Sequence, residues 1–174
     1  MEAAFRIEQR TLANGLRVIV HPDGSAPLVA THLMYHVGSR HEPPGRRGFA
    51  HLFEHLLFQG SENVPEGEHF RRIQAAGGTL NGTTWFDRTN FYETLPAGGG
   101  NLEFALHMEA ERMRRAALEP DQLAREMQII RNEFQMDEND PLKILSQRML
   151  STAYLWHPYG RTPMGNLSDI ERYP

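Results

Sequence analysis

The stretch GFAHLFEHLLFQG, Gly48 to Gly60, sets two histidines and a glutamate inside an otherwise apolar segment of helical period. On a helix His51 and His55 lie one turn apart and project from one face. Glu54, three residues after His51, stands on that same face. Phe49, Leu52, Phe53 and Leu56 occupy the opposite face, so the helix is expected to bury that side and turn the polar trio toward a cleft or another element. Two imidazoles at this spacing can hold one metal ion; the bland alternative is a pair of histidines that merely find hydrogen bonds. With nine histidines in 174 residues, and glutamate common, the pattern H-x-x-E-H arises by chance roughly 0.04 times in such a chain, which favours the metal reading.

A catalytic zinc ion takes three protein ligands and keeps a fourth position for water. The chain has no cysteine, so the third ligand must be His, Asp or Glu. The segment PDQLAREMQIIRNEFQMDEND, Pro120 to Asp140, offers Glu126 and Glu133, nearly in line on one helix face with Ile129 and Ile130 between them. A carboxylate set in an apolar stripe is costly to leave unpaired. The competing reading places both on a solvated edge beside Arg125 and Arg131.

Outward from these segments, period-2 patterning predicts strands at 5–11, 16–21 and 28–37, joined by the turns ANG and PDGSAP into a three-stranded meander. The His-bearing helix is expected to close at Gly60, and a second helix to run over 65–76. TLNGTTWFDRTNFYETLP, Thr79 to Pro96, reads as a β-hairpin turning at FDRTN. A type I′ turn at Asn81-Gly82 is the alternative. Three helices follow, near 102–117, 120–137 and 141–154, bounded by proline or polar residues. Strands first and helices later predict an α+β fold.

The chain is long enough, and at 40% apolar content greasy enough, to bury one core. Its net charge of -4 is spread through the sequence, which gives no electrostatic case for nucleic acid or an anionic membrane as partner. Without an apolar run near 18 residues, a soluble protein is expected.

Several motifs, in order, resemble those of the pitrilysin, insulin-degrading enzyme and mitochondrial processing peptidase family, zinc proteases with the inverzincin H-x-x-E-H signature. They are GSRHEPPGRRGFAHLFEHLLFQGSENVPEG from Gly38, GGTLNGTTWFDRTNFYETLP from Gly77, NEFQMDENDP from Asn132 and HPYGRTPMGNLSDI from His157. The resemblance implies one Zn²⁺ held by His51, His55 and Glu133, Glu54 as general base acting on a zinc-bound water, and Glu126 as a catalytic-site glutamate that supports the centre without binding the metal. It implies a peptide substrate added as a strand beside the zinc, contacted by Asn81 and Gly82, where many members have Asn-Ala. The implied fold is a two-layer sandwich of mixed or antiparallel sheet on helices.

The same resemblance makes residues 1–174 an N-terminal zinc-binding peptidase domain, expected to be truncated before its end and to lack its homologous second half. A partner subunit or that second half is then expected to complete the substrate chamber, and homo-oligomers to form through uncovered surfaces. A non-catalytic zinc-binding or partner subunit is the alternative function. Family likeness fits the bacterial cytoplasm or, after removal of a signal peptide, the periplasm.

Overall fold

A computed structural model describes residues 6–172. Strands β1 (Glu8–Thr11) and β2 (Arg17–Val20) form one antiparallel pair, and β3 (Leu28–Tyr35), β4 (Thr79–Thr84) and β5 (Thr89–Pro96) form a second antiparallel sheet in the order β3-β5-β4. Helices α1 (Phe49–Leu56), α2 (Glu68–Ala75) and α3 (Asn101–Arg115) pack on this sheet, followed by α4 (Pro120–Glu138), α5 (Pro141–Ala153) and the short α6 (Leu167–Ile170). The fold is α+β, with one layer of antiparallel sheet and one of helices.

The expected meander does not form, because β3 pairs with β5 rather than β2. The linker between β2 and β3 holds Pro22 and Pro27, which offer no N–H to a ladder, and Asp23 turns it by accepting from the Ser25 N–H at 2.9 Å. β5, by contrast, gives β3 partners along its whole length, from Leu28 opposite Pro96 to Tyr35 opposite Thr89. Phe5, the first residue of the expected strand 5–11, lies outside the described residues. Asn81 and Gly82 sit inside β4, and the chain turns back after Trp85, so the type I′ reading of that dipeptide is set aside.

Helix bounds follow the chain's punctuation with small shifts. α2 starts at Glu68 rather than Pro65 because Gly67 adopts φ 76 at its N-cap. α1 ends at Leu56, four residues before Gly60; the chain continues in tighter turns, with Gln59 N donating to Leu56 O.

Two apolar clusters hold the layers. Leu52 and Leu56 of α1 meet Ile130 of α4 and Ile170 of α6. Ile73, Leu95 and Ala105 join α2, β5 and α3. The first cluster sets α1 beside α4 and so determines what His51 and His55 can face. The apolar face of α1 is only partly covered, since Phe53 is 42% exposed.

Between the sheet and α3 lies a buried polar cluster of His69, Glu93, Glu109 and Arg112. Burial, joined by the hydrogen-bonded Glu93 carboxyl, pushes the Glu109 carboxyl up from 4.5 to about 8 against the pull of Arg112. His69 on α2 and Tyr35 on β3 also face this cluster. A folded-state value above the unfolded one makes Glu109's contribution complete below about pH 4.5 and lost as pH rises through about 8. Denaturation midpoints should therefore fall from pH 5 to 8.5, and Glu109→Gln, which imitates the protonated acid, should flatten that slope. Equal slopes in the two proteins would refute the assignment.

Candidate metal centre

Helix α1 is held at its N-terminus by Glu42, whose carboxylate accepts from Gly48 N at 2.8 Å and Ala50 N at 2.7 Å. Two of the helix's otherwise unpaired first-turn donors are thus satisfied by an acid, the charge that end of a helix favours. Gly48 turns the chain into the helix at φ 93, and a Cβ there would meet Met164 O at 2.7 Å.

From that helix His51 and His55 reach toward α4. Their Nε2 atoms are 3.2 Å apart. Glu133 Oε2 lies 3.6 Å from His51 Nε2 and 3.5 Å from His55 Nε2. A tetrahedral zinc with bonds of about 2.0–2.1 Å keeps its donors about 3.3 Å apart, so the three atoms fit one such ion. They form a group of three metal-capable donors, the number a catalytic centre uses.

Glu126 stands behind His55. Its Oε2 is 2.9 Å from His55 Nδ1, and its Oε1 accepts from Gln59 Nε2 at 2.8 Å. A carboxylate on Nδ1 holds the proton there and leaves Nε2 bare for a metal. Glu126 is buried while the Glu133 side chain is 40% exposed, so the outer carboxylate adjoins solvent and the inner one orients a ligand. Although burial opposes it, hydrogen bonds to Glu133 and Glu126 raise His55 above its ordinary range. Burial, with the neighbouring His55 charge, lowers His51 to about 4, so it stays neutral.

Glu54, between the two histidines in sequence, also meets the sheet. Its Oε2 accepts from Thr84 Oγ1 on β4 at 2.6 Å. Burial raises its carboxyl above the usual range, and the Thr84 hydroxyl holds it partway back. Gly82 makes this approach possible. A Cβ there would lie 2.9 Å from Phe58, 3.1 Å from Phe91 and 3.2 Å from Glu54 Cγ, so the glycine opens room for α1 against β4. Asn81 is exposed on the same strand, with its Oδ1 accepting from Gly82 N at 2.9 Å.

The structure thus brings His51, His55 and Glu133 together, sets Glu126 behind them, and places Glu54 and Gly82 in contact at one side. Thr84 and Gln59 are functional neighbours that the sequence reading did not select. Their pairing with Glu54 and Glu126 depends on how α1 docks on β4 and α4, which no local spacing reports.

A sequence profile of insulinase, peptidase family M16, matches residues 17–166. The chain belongs to this peptidase family. It is 34% identical over 168 residues to the zinc protease PqqE of Helicobacter pylori, covering 95% of this chain and 37% of that protein. It is also 34% identical to coenzyme PQQ synthesis protein F of Pseudomonas putida, covering 92% of this chain and 21% of that one. A probable mitochondrial-processing peptidase subunit beta of Arabidopsis thaliana matches at 29% identity, over 92% of this chain and 30% of its own length. Among solved structures, a protease from Helicobacter pylori superposes with a TM-score of 0.92 at 34% identity, covering 98% of this chain and 41% of that one. The chain spans less than half the length of each of these relatives. Among its described residues no helix is long and apolar enough to cross a membrane.

Proposed function

We propose that this chain carries the metal centre of a zinc-dependent peptidase acting on extended peptides, with His51, His55 and Glu133 as ligands and Glu54 as general base. The observation that carries the reading is the convergence of three donors at zinc spacing beside a buried carboxylate. Relatives named zinc proteases support it. Zinc held by these residues would supply a Lewis acid for the scissile carbonyl and would lower the pKa of a water to about 7. Glu54, with Oε2 engaged by Thr84, offers Oε1 to take the proton from the attacking water and return it to the leaving amine. Glu126 keeps His55 in the ligating tautomer.

The substrate's place is the open edge of β4, which among the described residues has a strand neighbour on one side only. Trp85 N donates to Arg88 O at 2.8 Å where the hairpin closes. Strand alternation then aims the main-chain groups of Leu80, Gly82 and Thr84 outward. An extended peptide can pair there as an added strand, displacing the Asn81 amide from Gly82 N.

The rest of the chamber is supplied by a homologous second half or a partner subunit, as the greater length of the relatives suggests. Residues 1–174 alone should then turn over unstructured peptides poorly, since catalysis needs positioning as well as metal. The test uses a fluorogenic peptide with this chain alone and with the longer protein that contains it. Cleavage by the longer protein should be abolished by chelator and restored by zinc. Cleavage that persists after the metal is stripped would sink the zinc reading. Robust cleavage by residues 1–174 would sink the need for a second half. Zinc binding without cleavage in either form would favour a non-catalytic subunit.

A further inference from the structure

The buried cluster between the sheet and α3 contains a second group of metal-capable donors, His69, Glu93 and Glu109. Its hydrogen bonding argues against a metal. Arg112 Nη2 lies 2.9 Å from His69 Nδ1. Because a guanidinium only donates, Nδ1 must accept, and the proton of a neutral ring then sits on Nε2, the atom that a metal would need. His69 Nε2 faces Glu93 Oε1 at 3.3 Å. Arg112 is itself the cation of the cluster, 3.1 Å from Glu109 Oε1 and 3.9 Å from Glu93 Oε1.

Arg112 is 4% exposed, and its fork is used in three directions. Nε donates to Glu109, Nη2 to His69, and Nη1 to the carbonyl oxygen of Leu57 at 3.0 Å. Leu57 is the C-cap of α1, two residues beyond His55. A buried cation on the last carbonyls satisfies an orphan acceptor and complements that end of the helix. The guanidinium also lies over two aromatic rings that meet each other edge to face, 4.5 Å from the centre of Phe58 and 4.1 Å from that of Phe91. Those rings supply the nearest atoms to the missing Cβ of Gly82, with Glu54 Cγ third. One side chain therefore touches the end of the metal-bearing helix and the aromatic floor beneath its base. Glu42 fixes the other end.

We propose that Arg112 is a positioning residue: anchored by His69, Glu93 and Glu109, it fixes the C-terminal end of α1 and so the placing of His55 and Glu54 against Glu133 and β4. This rests on the metal-centre reading given above. Lysine keeps the charge but presents one compact ammonium in place of the planar fork, so it cannot serve the three directions together.

The test measures zinc affinity by chelator competition, and the visible bands of the Co²⁺-substituted centre, in the full chain. Arg112→Lys and Arg112→Met are compared with Ile73→Val, a core change in the other apolar cluster; circular dichroism checks folding. Arg112→Lys should stay folded and lose tenfold or more in zinc affinity, the scale on which residues supporting metal ligands act, with altered cobalt bands. Arg112→Met should lose more, and Ile73→Val should keep both affinity and bands. Wild-type cobalt bands, with affinity within twofold, in a folded Arg112→Lys would overturn the proposal while leaving the metal centre standing. An equal loss in Ile73→Val would overturn it as well, by assigning the effect to general destabilisation. A wild-type chain that binds neither zinc nor cobalt would overturn the metal-centre reading, and this inference with it.

Discussion

Glu54→Gln should leave zinc content near that of wild type while lowering peptide hydrolysis by about 10² to 10⁴, the range for loss of a general base. Glutamine keeps the shape of the side chain and an oxygen to accept from Thr84, now 2.6 Å away. It therefore preserves the packing of α1 over Gly82. The group removed is the basic oxygen, and neither histidine depends on it for orientation. His55 is held by Glu126, and the two Nε2 atoms lie beside Glu133. Peptide affinity should change little, so the loss should appear in kcat rather than KM. Measurement belongs in whichever preparation cleaves peptide, with zinc assayed on the same sample. Loss of zinc in step with activity would make Glu54 a ligand and end its role as base. Retention of most activity would hand the proton to another group.

The second large effect separates the two glutamates of α4. His51→Ala, His55→Ala and Glu133→Ala should each abolish tight zinc binding, because each removes one of three donors. Glu126→Ala should weaken it by about 10- to 100-fold, the cost of losing a residue that orients a ligand. It frees His55 Nδ1 and leaves the amide of Gln59 without its acceptor, so some loss of stability accompanies it. Elemental analysis and chelator competition read both effects. Full zinc occupancy in Glu133→Ala, with none in Glu126→Ala, would exchange the two roles.

The sequence made much of this centre readable because its parts are local. His51, Glu54 and His55 share one helix, and helical period alone predicts that His51 and His55 face one partner. Period also put Glu126 and Glu133 on one helix, but the residues left open which of them meets the histidines; only family resemblance separated them. The docked helices now show Glu126 on Nδ1 and Glu133 beside both Nε2 atoms. Period does not report the bond between Glu54 and Thr84, because Gly82 opens a space that only a sheet partner reveals. Strand pairing failed for a similar reason. A short linker made β2 the nearest candidate for β3, whereas the ladder with β5 runs the full length of both strands. Arg112 lies in the charged run ERMRR, which the sequence reading did not select. Its burial comes from Phe58 and Phe91, brought to it from distant parts of the chain.

An edge that accepts any extended main chain also accepts the edge of another copy of itself. β4 is six residues long, and the Asn81 side chain already occupies the outward N–H of Gly82. A neighbouring molecule would have to displace that amide for a short ladder, which keeps such encounters brief. Every such encounter still blocks the edge at which the proposed peptide substrate would add. If peptides add there as proposed, the molecule at high concentration is a weak competitor of its own substrate, and the specific activity of a peptide-cleaving preparation should decline as it is concentrated.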